Sequence, residues 1–502
     1  MLYLRPNLPG TLKPTKDLFT ELKIVSDLEC MQEQGQHPVI FITFKDAKYK
    51  DFNLCYEHIK DQIINCYIEY GFLAESNKLT EDDKNIFKNY LERKIDRIHV
   101  DKSLKQLTNF IEQVTGKQAI ILIDEYDTPI QEAYLNGYYD PLVSFMRNLL
   151  SSSLKDNPYL KRAILTGILR VSKESLFSGL NNIKVYSILH SKYSNYFGFT
   201  EIEVNELLTK AQLPGDLKKT KEWYNGYNFG NTTIYNPLSI IEFINEQGKL
   251  RSYWVNTSSN ELVKNLIINS PYNIQESIEA LIAGSTIKQY VDEHIVFNDL
   301  NTSSSAIWGL LLMCGYLKYT SYQYEDRGYL CELKLPNQEV ENFYISIVKE
   351  WLSGDRGFNW YIEFITDLAE AKVQSFEDKL KILIEETLSM HDVTKKSQES
   401  FYHGLMLAFV SGLKNTHIIS SNRESGLGRY DIAIIPKDPN KIGIIMEFKA
   451  VSSESKLLVS ANSALKQIKK SKYVVELTSR GIKNICAMGI GFSKKNIKIV
   501  IG

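Results

Sequence analysis

Four aliphatic residues, Ile120, Ile121, Leu122 and Ile123, run straight into Asp124, Glu125 and Asp127 in the stretch "IILIDEYDTP". A continuous aliphatic run of this length marks a strand buried on both faces, as in parallel sheets. The carboxyl end of such a strand is where open α/β sheets place ligand chemistry, so Asp124 and Glu125 stand where a nucleotide, a metal or an activated water could be met. Two more runs, "PVIFITF" at 38–44 and "RAILTGIL" at 162–169, read as further strands, the last leading to Arg170. Between the second and third strands, "PLVSFMRNLLSSSL" at 141–154 predicts a helix whose opening Pro suits a first turn. Strand, helix, strand with short connections implies a parallel sheet with crossovers.

The Asp124–Glu125 pair has the form of a Walker B element, in which an Asp orients Mg²⁺ and the next acid positions the attacking water. That reading requires a glycine-rich loop with a Lys and a Ser or Thr to hold the phosphates. Before Asp124 the chain holds only Gly10, Gly35, Gly71 and Gly116, and none begins a GxxxxGK[ST] pattern. The chain therefore offers half of a nucleotide site, and ATP is not expected as a cofactor. A structural cap or a remnant site remains the other reading of Asp124 and Glu125. Arg170 is either a phosphate sensor or a strand-end partner for Asp124.

The formal charge of −1, from 59 basic and 60 acidic residues, gives no global field for nucleic acid or anionic membrane. Local sites must carry any such function. Six cysteines, at 30, 55, 66, 314, 331 and 486, form no CxxC or zinc-like cluster, which fits a reducing compartment. With no signal-like start and no apolar run of membrane length, a cytoplasmic chain is expected. The 30 Tyr and 22 Phe are scattered rather than alternating with basic residues, which favours core packing over a stacking platform.

A second acidic constellation lies in "SNRESGLGRYDIAIIPKDPNKIGIIMEFKA", residues 421–450. Asp431 opens one strand, Asp438-Pro439-Asn440 supplies a turn, and the next strand ends in Glu447-Phe448-Lys449. Residues two apart on a strand share a face, so Glu447 and Lys449 converge while Phe448 packs away. A hairpin would let Asp431 meet Glu447. Two carboxylates and a Lys at one point suit metal-dependent phosphodiester hydrolysis, with Mg²⁺ or Mn²⁺ on the acids and the Lys on a water or phosphoryl oxygen. Arg423 and Arg429 flank glycines that would let the backbone approach a phosphate. The plain alternative is a surface hairpin of alternating charge. His403, four residues after Glu399 on the same helical face, either packs or touches the site.

Asp431 and Glu447-x-Lys449, with upstream Glu399 and downstream Gln467, resemble the PD-(D/E)XK nuclease superfamily. More narrowly, "ESFYHGLMLAFVSGL", "SNRESGLGRYDIAIIP", "MEFK" and "GIGFSKK" resemble the C-terminal domain of a bacterial family that joins an AAA-ATPase-like module to this nuclease fold. The resemblance implies Asp431 and Glu447 as metal ligands, Lys449 as catalytic lysine, Glu399 as accessory acid and Gln467 as the polar residue of the closing helix. "LIDEYDTPI", "ILTGILRVSKESLFSGLNNI", "YFGFTEIEV" and "WYNGYNFG" resemble the same family's ATPase module. There a P-loop precedes the equivalent of "LFTELKI"; here "MLYLRPNLPGTLKPTKD" stands in its place. Either the module is degenerate and non-hydrolysing, or the reading frame begins late.

The expected architecture is α/β: a truncated AAA/P-loop-like parallel sheet over 1–205, a mainly helical extension over 206–347, a helical linker over 348–394, and a restriction-endonuclease-like domain over 395–502. The expected function is Mg²⁺-dependent hydrolysis of DNA, with Asp124, Glu125 and Arg170 left in a degenerate nucleotide site. Further partners are a protein or a second copy met through the ATPase-like and helical regions, and no membrane. The alternatives are a non-catalytic scaffold binding nucleic acid or protein, and a nuclease-fold hydrolase turned to another substrate.

Overall fold

The structure is a computed structural model that describes residues 16–168, 183–213, 217–255, 260–353 apart from 269, 271, 283, 296 and 327, 358–387, and 402–502 apart from 404, 405, 408, 415, 422, 423, 426, 427 and 472. Expected features at Arg170, Glu399 and Arg423 lie outside the described residues. The chain divides into two compact units, Met1–Ser187 with Val291–Cys314, and Ile188–Tyr290 with Gly315–Gly502. Among the described residues no helix is long and apolar enough to cross a membrane.

The first unit is built on a three-stranded parallel sheet of β1 (Val39–Thr43), β2 (Ala119–Asp124) and β3 (Leu160–Leu165), in that order. The aliphatic run of the opening stretch is β2, the central strand, paired Ile40 to Ile121 on one side and Ile121 to Ala163 on the other. Its position explains its composition, since both faces are covered while β3 at the edge has no buried residue. Helices α1 (Phe52–Glu69) and α2 (Arg97–Thr115) lie between β1 and β2 in the chain, and α3 (Thr128–Leu135) and α4 (Tyr139–Leu154) between β2 and β3.

Local chemistry sets the helix ends. Asp51 caps α1 by accepting from Leu54 N at 3.0 Å. Asp96 caps α2 in the same way, and Gly116 ends it at φ 70°, where a left-handed residue closes the last turn. The buried face of α2 holds Leu104, Leu107, Phe110 and Ile111. Tyr70, just past α1, donates to Val39 O at 2.9 Å and so fixes the helix end to β1.

In the second unit the stretch expected to be mainly helical does hold helices at Glu201–Lys210, Pro237–Asn245 and Gln338–Ser353, among others. It also holds two antiparallel hairpins, Tyr227–Phe229 with Thr232–Ile234 and Lys318–Glu325 with Gly328–Lys334. A buried carboxylate joins distant parts of this region. Glu339 accepts from the Ser239 hydroxyl at 2.7 Å and from Trp254 N at 2.6 Å, and burial pushes its pKa up.

The C-terminal part is a five-stranded sheet of β4 (His417–Ser421), β5 (Ile432–Pro436), β6 (Gly443–Ala450), β7 (Ile485–Ser493) and β8 (Asn496–Ile501). The strand order is β8-β7-β6-β5-β4, antiparallel except for the β6–β7 pair. A parallel pair needs a crossover, and α5 (Leu457–Ser471) supplies it. One sheet face meets α5: Ala433, Ile435, Ile445 and Ala487 pack with Leu465 and Ile468 in a buried cluster. On the opposite face Phe492 stacks on Tyr402 at 4.0 Å and meets Phe448 edge-on at 5.8 Å.

Candidate active site

Strand alternation carries the α5-facing set onward from Ala433 to Asp431 and from Ile445 to Glu447 and Lys449. The β5–β6 register pairs Ile432 with Met446 and Ala433 with Ile445, and one more step sets Asp431 opposite Glu447. The hairpin expected from the sequence is present, with its register ending at Ile432 and Met446. Asp431 itself lies just before β5, and its Oδ2 accepts from Phe448 N at 2.7 Å. Glu447 is only 3 % exposed, in a strand buried from Gly443 to Phe448. Lys449, two residues on, is half-buried on the same face.

Two glycines let α5 cover these acids. Gly489 and Gly491 pair with Glu447 and Lys449 across the β6–β7 ladder. A Cβ on Gly489 would lie 2.5 Å from Leu465 N, and one on Gly491 would lie 2.6 Å from Leu457 O. Only a strand without side chains at these points allows the helix backbone so close. The approach brings Gln467 over the site, where its Nε2 donates to Glu447 Oε1. The structure thus unites Asp431, Glu447, Lys449 and Gln467 on one face. Just before Asp431 in the chain, Glu424–Ser425 and Gly428–Arg429 form a small antiparallel ladder.

The N-terminal acids sit at the end of β2 with a different set of neighbours. Asp124 Oδ1 accepts from Thr166 Oγ1 at 2.6 Å, and its Oδ2 accepts from Thr43 Oγ1 at 3.3 Å. These hydroxyls stand at the ends of the two flanking strands. Glu125 adopts φ 51°, and its Oε2 accepts from Thr128 Oγ1 at 3.1 Å at the start of α3. Asp127, 4 % exposed, accepts from Ile168 N at 2.9 Å. A Cβ on Gly167 would lie 2.6 Å from Asp127 Oδ1, which accounts for the Gly of "ILTGIL". Asp124 and Asp127 thus both tie down the segment that leaves β3.

Comparison with known proteins was decisive for the two ends of the chain. Residues 11–177 match the family model described as "Predicted AAA-ATPase", and residues 397–501 match that of the PD-(D/E)XK nuclease superfamily. The chain joins an AAA-ATPase-like domain to a PD-(D/E)XK nuclease domain. The parallel sheet of β1–β3 with its helices is consistent with the AAA/P-loop-like fold, and the β4–β8 sheet under α5 with the restriction-endonuclease-like fold. A curated protein of Azotobacter chroococcum mcd 1, "Uncharacterized protein in vnfD 5'region", is 25% identical over 399 residues, spanning 77% of this chain and 71% of its own length.

Within the nuclease domain the donor set suits a hard divalent cation. Asp431 lies one residue beyond the β5–β6 ladder with its carboxylate on Phe448 N, and Glu447 is buried against the neutral amide of Gln467. Glu447 is buried and Asp431 partly so, and a set of carboxylate oxygens is of the kind that favours Mg²⁺ or Mn²⁺. Among the described residues no group of three His, Cys, Asp or Glu side chains gathers to hold a metal. His403 was open in the sequence between packing and contact; its Nε2 lies 3.1 Å from the main-chain oxygen of Asp431. Thr43 and Thr166 were not singled out at all. Their signal is positional, a hydroxyl residue at the exit of each strand that flanks an acid-ended one.

Proposed function

We propose that the C-terminal domain is a metal-dependent nuclease that hydrolyses DNA. What supports this reading is the bond from Gln467 to the buried Glu447, with Lys449 two residues on and the β5–β6 ladder ending one residue from Asp431. Asp431 and Glu447 would hold Mg²⁺ or Mn²⁺. When bound, the ion supplies Lewis acidity, lowering the pKa of a water and neutralising charge that grows on the phosphate. Phe448 N, by donating to Asp431 Oδ2, fixes that carboxylate. Gln467 Nε2 donates to Glu447 Oε1 and steadies that carboxylate. Lys449 is suited to orient the attacking water or to hold a phosphoryl oxygen. Glu399 keeps the accessory role that the resemblance implies.

The N-terminal module is proposed as a non-hydrolysing scaffold. What supports this is that both oxygens of Asp124 already accept from threonines of the flanking strands. The module then offers a surface to a protein partner or a second copy rather than a site for ATP turnover.

The test is incubation of purified protein with supercoiled, linear and single-stranded DNA and Mg²⁺ or Mn²⁺, beside Asp431→Ala and Lys449→Ala. Cleavage by wild type alone is expected. Equal survival of every substrate with all three proteins removes the nuclease reading and leaves the non-catalytic scaffold.

A further inference from the structure

Asp431 is held at both ends by groups that pack on each other. The His403 Nε2 lies 3.1 Å from Asp431 O and 3.1 Å from Ser421 Oγ. A carbonyl oxygen only accepts, so Nε2 carries the proton and donates, shared between the carbonyl and the hydroxyl. The same ring meets Phe448 edge-on, with centroids 6.0 Å apart. Phe448 in turn donates its backbone N–H to the Asp431 carboxylate.

This closed set matters because Asp431 stands one residue outside the β5–β6 ladder. The register that fixes Ile432 and Ala433 against β6 begins after it. The His403 contact links its main chain to the preceding helical segment. Ser421, at the end of β4, pairs with Ile432 and brings the neighbouring strand into the same junction.

We propose that His403 is a positioning residue: its Nε2–H fixes the main chain of Asp431 and thereby aims the carboxylate at the position shared with Glu447. The inference rests on the metal-site reading above. A partner that orients a ligand without touching the ion is a recurrent device, and its loss weakens metal affinity rather than abolishing the fold.

The test is calorimetric titration of Mn²⁺ into the full chain, with the Mn²⁺ dependence of DNA cleavage followed in parallel. The proteins compared are wild type, His403→Gln, His403→Asn, His403→Phe and Asp431→Ala, each checked by thermal unfolding. Gln reaches about as far as Nε2 and keeps a donor; Asn falls short; Phe keeps the ring against Phe448 without the donor. His403→Phe and His403→Asn are expected to weaken Mn²⁺ binding and to raise the Mn²⁺ needed for cleavage by roughly tenfold or more, with His403→Gln near wild type. Where His403→Phe does not fold, the Asn and Gln pair decides. Equal Mn²⁺ affinity in wild type and His403→Asn overturns the positioning role, even with cleavage intact. A wild type that binds Mn²⁺ no better than Asp431→Ala overturns the metal-site reading beneath it.

Discussion

Gly489→Ala places a methyl group where the backbone of α5 already lies. The new Cβ would stand 2.5 Å from Leu465 N, about 0.9 Å short of the 3.4 Å at which ordinary contact begins, and it would also crowd Ala461 O. Both are backbone atoms of a helix, so no side-chain rotation relieves the clash. Either α5 retreats by nearly 1 Å or the strand shifts beneath it, and overpacking of this kind costs about 1–3 kcal/mol. The same retreat lifts Gln467 from Glu447. A displacement of about 1 Å in a group that orients a reacting site can cost on the order of 100-fold in rate. Urea denaturation should therefore show a lowered midpoint at unchanged slope, and DNA cleavage should fall by much more than the small unfolded fraction explains. A variant with the wild-type midpoint and the wild-type cleavage rate would refute the claim that α5 is pressed onto β7 to deliver Gln467.

Other expectations concern stability. Thr166→Val removes the hydroxyl that donates to Asp124 Oδ1 and should lower stability by about 1–2 kcal/mol, read by thermal unfolding. Asp127→Ala orphans Ile168 N and should cost roughly 1–3 kcal/mol, with faster proteolysis near residue 168 as the second readout. His417 is 4 % exposed, and burial, then Lys441 and Lys437, lower its pKa from the ordinary 6.5. A depressed histidine pKa means that the unfolded chain binds the proton more readily. Its contribution to stability is complete above pH 6.5 and is lost as pH falls through the folded value. His417→Gln should thus lose less melting temperature between pH 8 and about 5 than wild type, since only wild type must bury or expel that charge. Equal losses would refute it.

How much of this was readable in advance varied with the physics of each element. β2 was legible because a central parallel strand is buried on both faces and so reads as an unbroken aliphatic run, Ala119 to Ile123. The β5–β6 hairpin was legible for a similar reason, with Asp438 and Asn440 marking its turn; Asn440 N does bond Asp438 Oδ1 at 3.0 Å. The hairpin of Lys318–Glu325 and Gly328–Lys334 was harder, because its first strand is mostly exposed and "KYTSYQYE" carries no apolar alternation. Its Tyr and Thr content was the signal available. At the candidate site, residue type and strand spacing pointed to Asp431, Glu447 and Lys449, and the family resemblance to Gln467. The features that bring them together depend on contacts between segments far apart in the chain. His403 reaches Asp431 across 28 residues, and Gly489 earns its place only through α5.

The central claim is that the Asp431–Glu447 pair gives this chain nuclease activity, and Glu447→Gln tests it most directly. The amide keeps the shape and an oxygen that can still accept from Gln467, while it removes the buried charge that a cation would answer. Conversion of supercoiled DNA to nicked or linear forms is measured in Mg²⁺ and in Mn²⁺ for wild type and variant, with unfolding curves recorded beside it. The account predicts cleavage by wild type and its loss in Glu447→Gln at equal or greater stability. Cleavage that persists unchanged in a folded Glu447→Gln would contradict it.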